Sequence, residues 1–397
     1  MERNIAAIEI CSKCVKLVVG YELDNKVYVS YTLTKPYSHC VDMGRFSNVP
    51  EVVNALREIK VISDASAKLK INIGDALLAL PPFGLVVYDH KQATAIIDSI
   101  KLSDLKNAFK LIENSNLPSP ETTLVDIIPQ RYVLDNNKLF INAPIGEKTK
   151  TLTLFTKVHV LPEHIANNYH IVLKNGGINV KRKFVAPFAA IQLLATDESI
   201  PSDYLLVDIG SNVTTVSSVQ NKELLDSYSF SWGGDNITDH IVAAFNINEN
   251  DAEKYKIRYG IDNRKLNFDP PVCSSDDGNG NEIKHHIDEL NSIIKSELDI
   301  LVKNINSAID LLTKQSDPSY KKLPMVLIGG GSRLYGLVDY ITPKVPSVTV
   351  QAAIPKVLGA RNPSYFTCLG MLLANSKYNL DWNDNEPRIG SLTRNPK

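Results

Sequence analysis

Runs of apolar residues open the chain and predict three consecutive strands, over residues 5–10, 15–23 and 28–34. Apolar residues near helical spacing then predict a helix over 50–65, and a further strand is predicted over 70–80. Short polar turns join the first three strands, which is typical of a meander. The alternation of strands and helices that follows predicts an α/β fold.

The plan of the first thirty residues returns about halfway along the chain. Residues 204–230 again predict a buried strand, a small polar turn, a strand, an Asn/Lys turn and a strand. In this alignment Glu9-Ile10-Cys11-Ser12 corresponds to Asp208-Ile209-Gly210-Ser211. A single duplication of this size favours two related lobes over a solenoid, with a chance match of short β patterns as the alternative.

Residues 83–160 separate the two copies, and the second half does not repeat them in order. A strand predicted over 149–160 alternates so that one face is buried and the other, with Lys157 and His159, faces solvent. A helix with Ser103 as its N-cap is also predicted here. Its expected apolar face consists of Leu105, Ala108, Phe109, Leu111 and Ile112. We interpret this stretch as a small α+β insertion.

The second half continues the alternation and then loses it. A segment of low hydrophobicity at 267–282 predicts a mobile loop, and the irregular polar sequence from Asn375 onward predicts a tail. By the same criteria we predict helices over 163–175, 236–246, 250–259 and 286–312 and from about Tyr335, and strands over 178–184 and 325–328.

The composition argues against several functional classes of protein. Among 397 residues, 43 Lys and Arg are balanced by 44 Asp and Glu, so the net charge of −1 gives no basis for binding a nucleic acid. The five cysteines are odd in number and widely spread, which favours a reducing cytoplasm over a secreted disulfide framework. Because no uncharged apolar run reaches ~18 residues, neither a signal peptide nor a transmembrane segment is predicted.

Two turns of small residues have the composition of phosphate-binding loops. At 208–212 a predicted strand ends in Asp208 and a turn whose backbone N–H groups can surround phosphate oxygens, while the carboxylate can hold Mg²⁺ through water. Gly329, Gly330 and Gly331 follow another strand and precede a predicted helix, whose N-terminus would favour negative charge. An ordinary hairpin and a close helix–strand crossing are the respective alternatives.

Two further motifs lie between those turns. The segment 232–238 is a small-residue turn at a helix start, with Asp235 or Asn236 as the expected N-cap. Glu253 and Lys256 lie three residues apart on one predicted helix face, from which both side chains can reach a ribose. A capped loop and a solvated ion pair are the alternatives.

Cys11 and Cys14 form a C-x-x-C pair, a pattern that elsewhere binds metals or exchanges disulfides. The sequence offers no second pair and no nearby histidine to complete a four-ligand site. The position of the pair in a turn of the first copy accounts for it without a metal or redox role, which we therefore do not expect.

The order of these motifs resembles the actin-like ATPase superfamily and, within it, the FtsA family of bacterial division proteins. The resemblance is carried by VDIGSN, SWGGDNITD and DAEKYK within 207–260, by MVLIGGGSRLYGLVDYI at 325–341, and by DIIPQRYVLDNN with the later APIG in the insertion. These segments and the first hairpin extend from near the start of the chain to about residue 375. An insertion after the first helix that carries IIPQRYVLD is similar to the FtsA arrangement.

The resemblance implies an α/β, actin-like fold of two lobes, which is a ribonuclease H-like duplication, with the small α+β insertion subdomain characteristic of FtsA. The expected division is lobe one core at 1–82 and 161–200, the insertion at 83–160, lobe two core at 201–235 and 321–374, the outer subdomain of lobe two at 236–320, and a flexible tail at 375–397. The segment 321–374 is expected to return the chain to lobe one.

The resemblance also implies a cleft between the lobes that binds ATP or ADP with Mg²⁺. In that arrangement Asp208, together with Glu9, would face Mg²⁺, and Glu253 and Lys256 would hold the ribose. Phosphate would be met by Ser12, Lys13, Gly210, Ser211 and Asn212, and the adenosine would be flanked by Gly233, Gly234, Gly329, Gly330 and Gly331.

Three positions depart from the family pattern. The first hairpin has Glu9 for the usual Asp and Cys11 for the usual Gly, so the carboxylate is one methylene longer and a side chain occupies a place of close backbone approach. Ala186 precedes Pro187 where hydrolysing relatives have an acidic residue. We expect weak ATP hydrolysis or none, and we assign no catalytic residue.

As a function, the resemblance implies a cell-division adaptor that polymerises into filaments and binds the C-terminal tail peptide of FtsZ. Lys295, in the outer subdomain, is the expected contact for that peptide. The location implied is the cytoplasm, at the inner face of the membrane at the division site. The alternatives are a PilM-like scaffold of pilus assembly and a sugar- or acetate-kinase-like ATPase, the latter disfavoured by Ala186.

Membrane binding in FtsA-like chains implies a short amphipathic helix at the C-terminus. Residues 379–397 contain Pro387 and Gly390 between scattered apolar residues, so no apolar stripe can form there. We expect the membrane to be reached only through a C-terminal amphipathic helix that is not present in this chain. Either the natural protein continues beyond Lys397, which we favour, or its lineage has dispensed with the anchor.

Overall fold

Strands and helices alternate along the chain in the computed structural model, which describes residues 4–64, 69–261, 271–276, 282–313 and 321–378. The strands are β1 Ile5–Ile10, β2 Cys14–Leu23, β3 Lys26–Pro36, β4 Val41–Asp42, β5 Arg45–Phe46, β6 Val61–Asp64, β7 Leu69–Asn72, β8 Asp75–Leu80, β9 Val86–Ala95, β10 Thr122–Leu134, β11 Leu139–Phe140, β12 Thr151–Pro162, β13 Asn179–Val185, β14 Tyr204–Ile209, β15 Thr214–Gln220, β16 Glu223–Phe230, β17 Pro271–Asp276, β18 Glu282–His286, β19 Met325–Ile328 and β20 Val350–Ala352. The helices are α1 Val49–Lys60, α2 Leu102–Glu113, α3 Glu163–Asn175, α4 Ala186–Leu194, α5 Gly234–Phe245, α6 Glu249–Tyr259, α7 Ile287–Thr313, α8 Leu337–Ile341 and α9 Phe366–Lys377.

Two five-stranded sheets of the same construction form the two lobes. Lobe one has the order β13-β8-β1-β2-β3, and lobe two has the order β16-β15-β14-β19-β20. In each sheet the central strand is antiparallel to the next strand in the chain and parallel to the strand on its other side. The duplication seen in the sequence is therefore a duplication of the fold.

Helix α9 returns the chain from lobe two to lobe one. It is buried on almost every side and packs mainly against α4, while also contacting β1 and β2. A Cβ atom on Gly370 would overlap the backbone carbonyl of Ala189, so glycine is what lets the two helices approach so closely. Asn375 lies within α9 and is buried, so the prediction of a tail from that residue is wrong. The rest of the predicted tail, 379–397, lies outside the described residues.

The segment between the lobe-one elements forms a separate sheet, β11-β10-β12-β9, with α2 against one face. Leu105, Ala108, Phe109 and Ile112 of α2 are buried in its own hydrophobic cluster, whereas Leu111 is half exposed and does not belong to the apolar face. Helix α2 begins at Leu102, so Ser103 is not its N-cap. The Asp104 carboxylate instead accepts a hydrogen bond from the Lys101 N–H at 2.8 Å.

The second face of this sheet is covered at His159, which corrects the prediction that this residue faces solvent. That side chain is 1% exposed and its ring packs edge-on against Phe188 of α4, with 5.0 Å between centroids. Beside it, Arg182 of β13 forms an ion pair of 2.8 Å with the buried Asp126 of β10. A strand face that alternates as if exposed is therefore covered by lobe one.

Other boundaries differ from those predicted. Helix α1 ends at Lys60, because the β-branched Val61 and Ile62 begin strand β6, which pairs with β7. The predicted strand over 70–80 is two strands, β7 and β8, and Ala65 lies outside the described residues. Within the predicted mobile loop 267–282, residues 271–276 form β17, which pairs with β18. Residues 267–270 and 277–281 lie outside the described residues.

Candidate functional site

The turns of the two equivalent hairpins share one backbone geometry. In lobe one, Cys11 N–H donates to the Cys14 carbonyl at 2.8 Å, and in lobe two Gly210 N–H donates to the Val213 carbonyl at 2.9 Å. These pairs continue the registers of their hairpins by one step past Ile10↔Val15 and Ile209↔Thr214. The aligned motifs Glu9–Ser12 and Asp208–Ser211 thus occupy the same place in the two lobes.

The start of α5 is built directly on the turn of the second hairpin. Gly234 N–H donates to the Gly210 carbonyl at 3.0 Å, and Asp235 N–H donates to the Ser211 carbonyl at 2.8 Å. A Cβ atom on Gly233 would overlap the Ser211 carbonyl, so this contact requires glycine. Four of the predicted site residues, Gly210, Ser211, Gly233 and Gly234, therefore form one continuous backbone surface.

The N-cap of α5 is Gly233, so the N-cap prediction is wrong by two or three residues. Helix α5 begins at Gly234, so Asp235 and Asn236 lie in its first turn. The Asn236 side chain accepts a hydrogen bond from Gly233 N–H at 2.9 Å. Asn236 thereby satisfies a free backbone donor at the helix start from inside the helix.

The triple glycine lies against the end of β14, beside the second hairpin. Gly329 has φ of +84°, and a Cβ atom there would overlap the Asp208 carboxylate. A Cβ atom on Gly331 would overlap the Ile209 side chain, whereas Gly330 faces open space. A short 3-10 turn over Gly331–Arg333 follows, and α8 begins only at Leu337, so no α-helix N-terminus lies directly at the triple glycine as the sequence predicted.

Three charged side chains meet between the lobes. Glu9 and Lys16 are cross-strand partners in β1 and β2, with Lys16 Nζ 3.0 Å from Glu9 Oε2. Burial, with a contribution from the Glu9 charge, raises the pKa of Asp208 in lobe two to about 6, although Lys16 acts in the opposite direction. Two carboxylates and one ammonium thus share the floor of the cleft.

Lys16 is a site residue that the sequence reasoning missed. It lies in the first half of β2, whose next four residues are apolar or glycine, and its side chain is only 15% exposed. A signal was present, because a hairpin that pairs residues 10 and 15 must also pair residues 9 and 16. Two opposite charges at such paired positions of a buried hairpin indicate a functional pair more strongly than either does alone.

Lys13 connects the two lobes across the cleft. Its Nζ lies 2.8 Å from Asp235 Oδ2 of α5 and 2.8 Å from Glu249 Oε1 of α6. Burial alone would lower the pKa of Lys13, but its contacts with Asp235 and then Glu249 outweigh burial and hold that pKa well above its usual value.

A second hydrogen bond between the lobes joins Asn212 Nδ2 to His39 Nδ1 at 3.1 Å. The Ser12 carbonyl accepts a hydrogen bond from Cys40 N–H at 3.1 Å.

Glu253 and Lys256 are neighbours, as predicted from their spacing, but Lys256 points inward. It is 7% exposed, and its Nζ donates to the Gly234 carbonyl at 2.9 Å and to Thr238 Oγ1 at 2.8 Å. Its Nζ also lies 2.5 Å from Glu253 Oε2, and the Glu253 side chain remains 42% exposed. Lys256 thus fixes α6 to the start of α5 and positions Glu253 at the rim of the cleft.

Lys295 lies away from this group, on α7. It is half-buried, and its backbone carbonyl accepts a hydrogen bond from Tyr340 Oη at 3.1 Å. The same hydroxyl donates to Asp299 Oδ1 at 2.8 Å.

Among the described residues, no group of three or more His, Cys, Asp or Glu side chains is placed to hold a metal ion. Mg²⁺ in nucleotide sites commonly uses only one or two carboxylates, with water and phosphate oxygens as its other ligands. Glu9 and Asp208 fit that role, since Glu9 raises the pKa of the buried Asp208 carboxylate and a divalent cation would offset their repulsion.

A family model described as Cell division protein FtsA matches residues 205–370, which include the second hairpin, α5, α6 and the triple glycine. FtsA of Enterococcus faecalis is 23% identical over 380 residues, covering 94% of this chain and 83% of that protein. The chain is similar to cell division protein FtsA over most of its length. FtsA of Enterococcus hirae is 24% identical, covering 92% and 81%, and FtsA of Neisseria meningitidis is 23% identical, covering 98% and 94%. The resemblance to FtsA stated from the motifs is confirmed.

Solved structures show that the fold of this chain is actin-like, as predicted. The PilM-PilN type IV pilus biogenesis complex aligns with a TM-score of 0.61 at 17% identity, covering 94% of this chain and 98% of that chain. MreB 5 of Spiroplasma citri bound to AMPPNP aligns with a TM-score of 0.56 at 12% identity, covering 95% and 97%. At these identities the likeness concerns the fold alone. Within the described ranges, no helix combines the length and the apolar character needed to cross a membrane.

Proposed function

We propose that this FtsA relative is a cell-division adaptor whose interlobe cleft binds ATP or ADP with Mg²⁺. The observation that supports this most directly is the convergence of two equivalent hairpins on Glu9, Lys16 and Asp208. Beside them, the glycine turns at 233–234 and 329–331 leave backbone exposed next to the same strand end. One ammonium and two carboxylates that Mg²⁺ would neutralise, with bare backbone around them, suit a polyphosphate bound together with Mg²⁺.

In this proposal the lobes share the ligand. Ser12 and Lys13 would contact phosphate from one side, and Gly210, Ser211 and Asn212 from the other, while Lys16 adds a second cation below them. The adenosine would lie along Gly234 and the triple glycine, where Gly330 has open space in front of it. The exposed carboxylate of Glu253, held by Lys256, would accept hydrogen bonds from ribose hydroxyls. Mg²⁺ held near Glu9 and Asp208 would neutralise phosphate charge.

A bound phosphate would compete for Lys13. This side chain has Asp235 and Glu249 as partners in the structure, both on lobe two. A phosphate oxygen bound between the lobes would carry a negative charge, as these two carboxylates do, and could pair with Lys13 in their place. Nucleotide binding would therefore exchange a direct protein bridge for one that runs through the ligand.

Hydrolysis is proposed to be weak or absent. Ala186 begins α4 directly after β13, and its methyl side chain cannot accept a hydrogen bond from an attacking water. The proposed role of the chain is therefore assembly, with nucleotide as a structural ligand.

As expected from the resemblance to FtsA, the chain would associate with itself in filaments and bind the FtsZ tail peptide on the outer subdomain near Lys295. Its proposed location is the inner face of the membrane at the division site.

Calorimetry with a non-hydrolysable ATP analogue and Mg²⁺ tests the cleft. We expect saturable binding to the unaltered chain, weaker binding to the Asp208→Ala variant, and unchanged binding to Asp310→Ala, an exposed carboxylate of α7 paired with Lys321. Absence of measurable binding by the unaltered chain would contradict the nucleotide proposal. A pull-down with an FtsZ tail peptide against a pilus-assembly peptide separates the adaptor from a PilM-like scaffold.

A further inference from the structure

Four of the five cysteines lie around the first hairpin. Cys11 and Cys14 are in its turn, Cys40 donates its backbone N–H to the Ser12 carbonyl at 3.1 Å, and the Cys368 thiol lies 3.9 Å from the Lys16 carbonyl. Cys40 and Cys368 are buried, whereas Cys11 and Cys14 are each partly exposed. Cys11 and Cys14 are therefore the cysteines at this hairpin that retain exposed surface.

Cys11 and Cys14 face each other across the hairpin. The register that pairs Ile10 with Val15 makes them the next partners, and Cys11 N–H donates to the Cys14 carbonyl at 2.8 Å. Opposed residues that share such a bond in antiparallel strands have Cα atoms about 5.5 Å apart, which lies within the range of disulfides. The backbone positions of Cys11 and Cys14 therefore permit an intramolecular disulfide.

The surroundings of Cys14 favour its ionised form, the thiolate. The hydrogen bond from Cys11 lowers the pKa of Cys14, with a smaller contribution from the Lys16 charge, although burial opposes it. Cys14 is thus expected to attack first, because the thiolate is the reactive form.

Against the expectation from the sequence, which gave this pair no redox role, we propose that Cys11 and Cys14 form an oxidisable dithiol that low-molecular-weight disulfides convert into an intramolecular disulfide. The Cys14 thiolate attacks one sulfur of the reagent, and one small thiolate leaves. The Cys11 thiol then loses its proton and attacks Cys14 Sγ, and the second small thiolate leaves. The protein loses two electrons and two protons, and the reagent is reduced to two thiols.

Lobe two supplies a natural contrast. In its equivalent turn the positions of Cys11 and Cys14 are taken by Gly210 and Val213, with the same backbone hydrogen bond. The turn therefore does not require thiols in order to form. This makes the double variant Cys11→Gly/Cys14→Val a matched control that copies a sequence already accommodated by this fold.

The bond would close a ring around Ser12 and Lys13. This consequence rests on the proposed nucleotide function, whereas formation of the bond does not. Because the ring restrains the backbone that would adjust to phosphate, we expect the oxidised chain to bind the ATP analogue about tenfold more weakly, which corresponds to about 1.4 kcal/mol. Dithiothreitol should restore the affinity.

Peptide mapping tests the bond directly. The native chain is equilibrated with oxidised and reduced glutathione, quenched in acid, alkylated while denatured and digested with trypsin. Cleavage after Arg3, Lys13 and Lys16 separates the two cysteines onto peptides 4–13 and 14–16. We expect them to remain joined, with the loss of two hydrogen atoms, in the oxidising buffer and to separate after reduction.

The control variants decide between the outcomes. Cys14→Ser, which keeps the size of the side chain, and the Gly/Val double variant should give no joined peptide. The extent of alkylation of Cys273 should be the same in all variants. Overturning the proposal requires only that the joined peptide be absent from native protein or form solely in denatured protein. Equal affinity of the oxidised and reduced chains for the ATP analogue would overturn the regulatory consequence and leave the bond itself established.

Discussion

Lys13 of lobe one and Asp235 of lobe two form an ion pair across the cleft, with 2.8 Å between Nζ and Oδ2. The pair is partly exposed, at 30% and 14% of the two side chains, so its contribution to stability is about 0.2–1 kcal/mol. A contact this weak can be exchanged for another anion at little cost. The arrangement is therefore suited to a ligand that takes over Lys13.

Substitutions on the two sides of this pair should act in opposite directions. Lys13→Ala should weaken binding of an ATP analogue by about 10–150-fold, since a charged hydrogen bond contributes about 1.5–3 kcal/mol. Asp235→Asn should strengthen it by up to about fivefold, because it removes a competitor for Lys13. Calorimetry measures both. Lys254→Ala, which removes an exposed lysine from α6, is the control and should have no effect. A loss of affinity in both cleft variants would contradict the competition.

Asp208 should make the folded chain less stable as the pH rises. Its folded pKa of about 6 is above the ordinary 3.8, so between these values the native state holds a proton that the unfolded chain has released. Stability from this group is therefore lost as pH rises through that window. Asp208→Asn should match the parent near pH 4 and exceed its free energy of unfolding at pH 7 by at most about 3 kcal/mol.

Urea unfolding at both pH values measures this difference. Asp239→Asn changes an exposed carboxylate of α5 and should shift neither value. Saturating Mg²⁺, if it binds at this carboxylate, should reduce the advantage of Asp208→Asn at pH 7. The same advantage at pH 4 as at pH 7 would show that Asp208 does not titrate in this way.

The arrangement of the cleft was predictable where the signal was local and repeated. The aligned motifs at Glu9 and Asp208 placed both hairpins, because register propagates from one pair of a hairpin to all the others. Lys256 could be assigned to a helix face but not to a buried position, since burial depends on α5 packing over it. Lys13 could be placed in a turn, whereas its partners Asp235 and Glu249 come from elements more than two hundred residues away.

His159 shows the limit of pattern reasoning in the insertion. Alternation along β12 identified one apolar face correctly, yet His159 on the polar face is also buried because Phe188 of α4 covers it. The sequence of a single strand shows only that its two faces differ in polarity. Which of them meets another part of the chain depends on long-range packing that composition at 149–160 does not contain.

This buried histidine predicts a second dependence on pH, of opposite sign. Burial, with a smaller effect of Lys157, lowers the pKa of His159 to about 3, so the native state keeps it neutral while the unfolded chain gains a proton below about 6.5. Stability should fall by about 2 kcal/mol between pH 6.5 and 5. His159→Phe, which keeps a ring against Phe188, should remove that loss. His164→Gln, at an exposed position of α3, should retain it, and an unchanged acid sensitivity of His159→Phe would argue against the assignment.

Lys295 gives the sharpest test of the proposed FtsZ contact, because α7 carries its own control. An acidic tail peptide would be attracted by Lys295, and Lys295→Glu both removes that attraction and adds repulsion beside Asp299 of the same helix. We expect about tenfold weaker binding of a labelled FtsZ tail peptide by fluorescence anisotropy, equal to about 1.4 kcal/mol, and a smaller difference at high salt. Lys303→Glu makes the same change of charge two turns further along α7, at an exposed position, and should have little effect. Equal losses from the two variants would indicate general electrostatic attraction, and no loss from Lys295→Glu would place the peptide elsewhere on the chain.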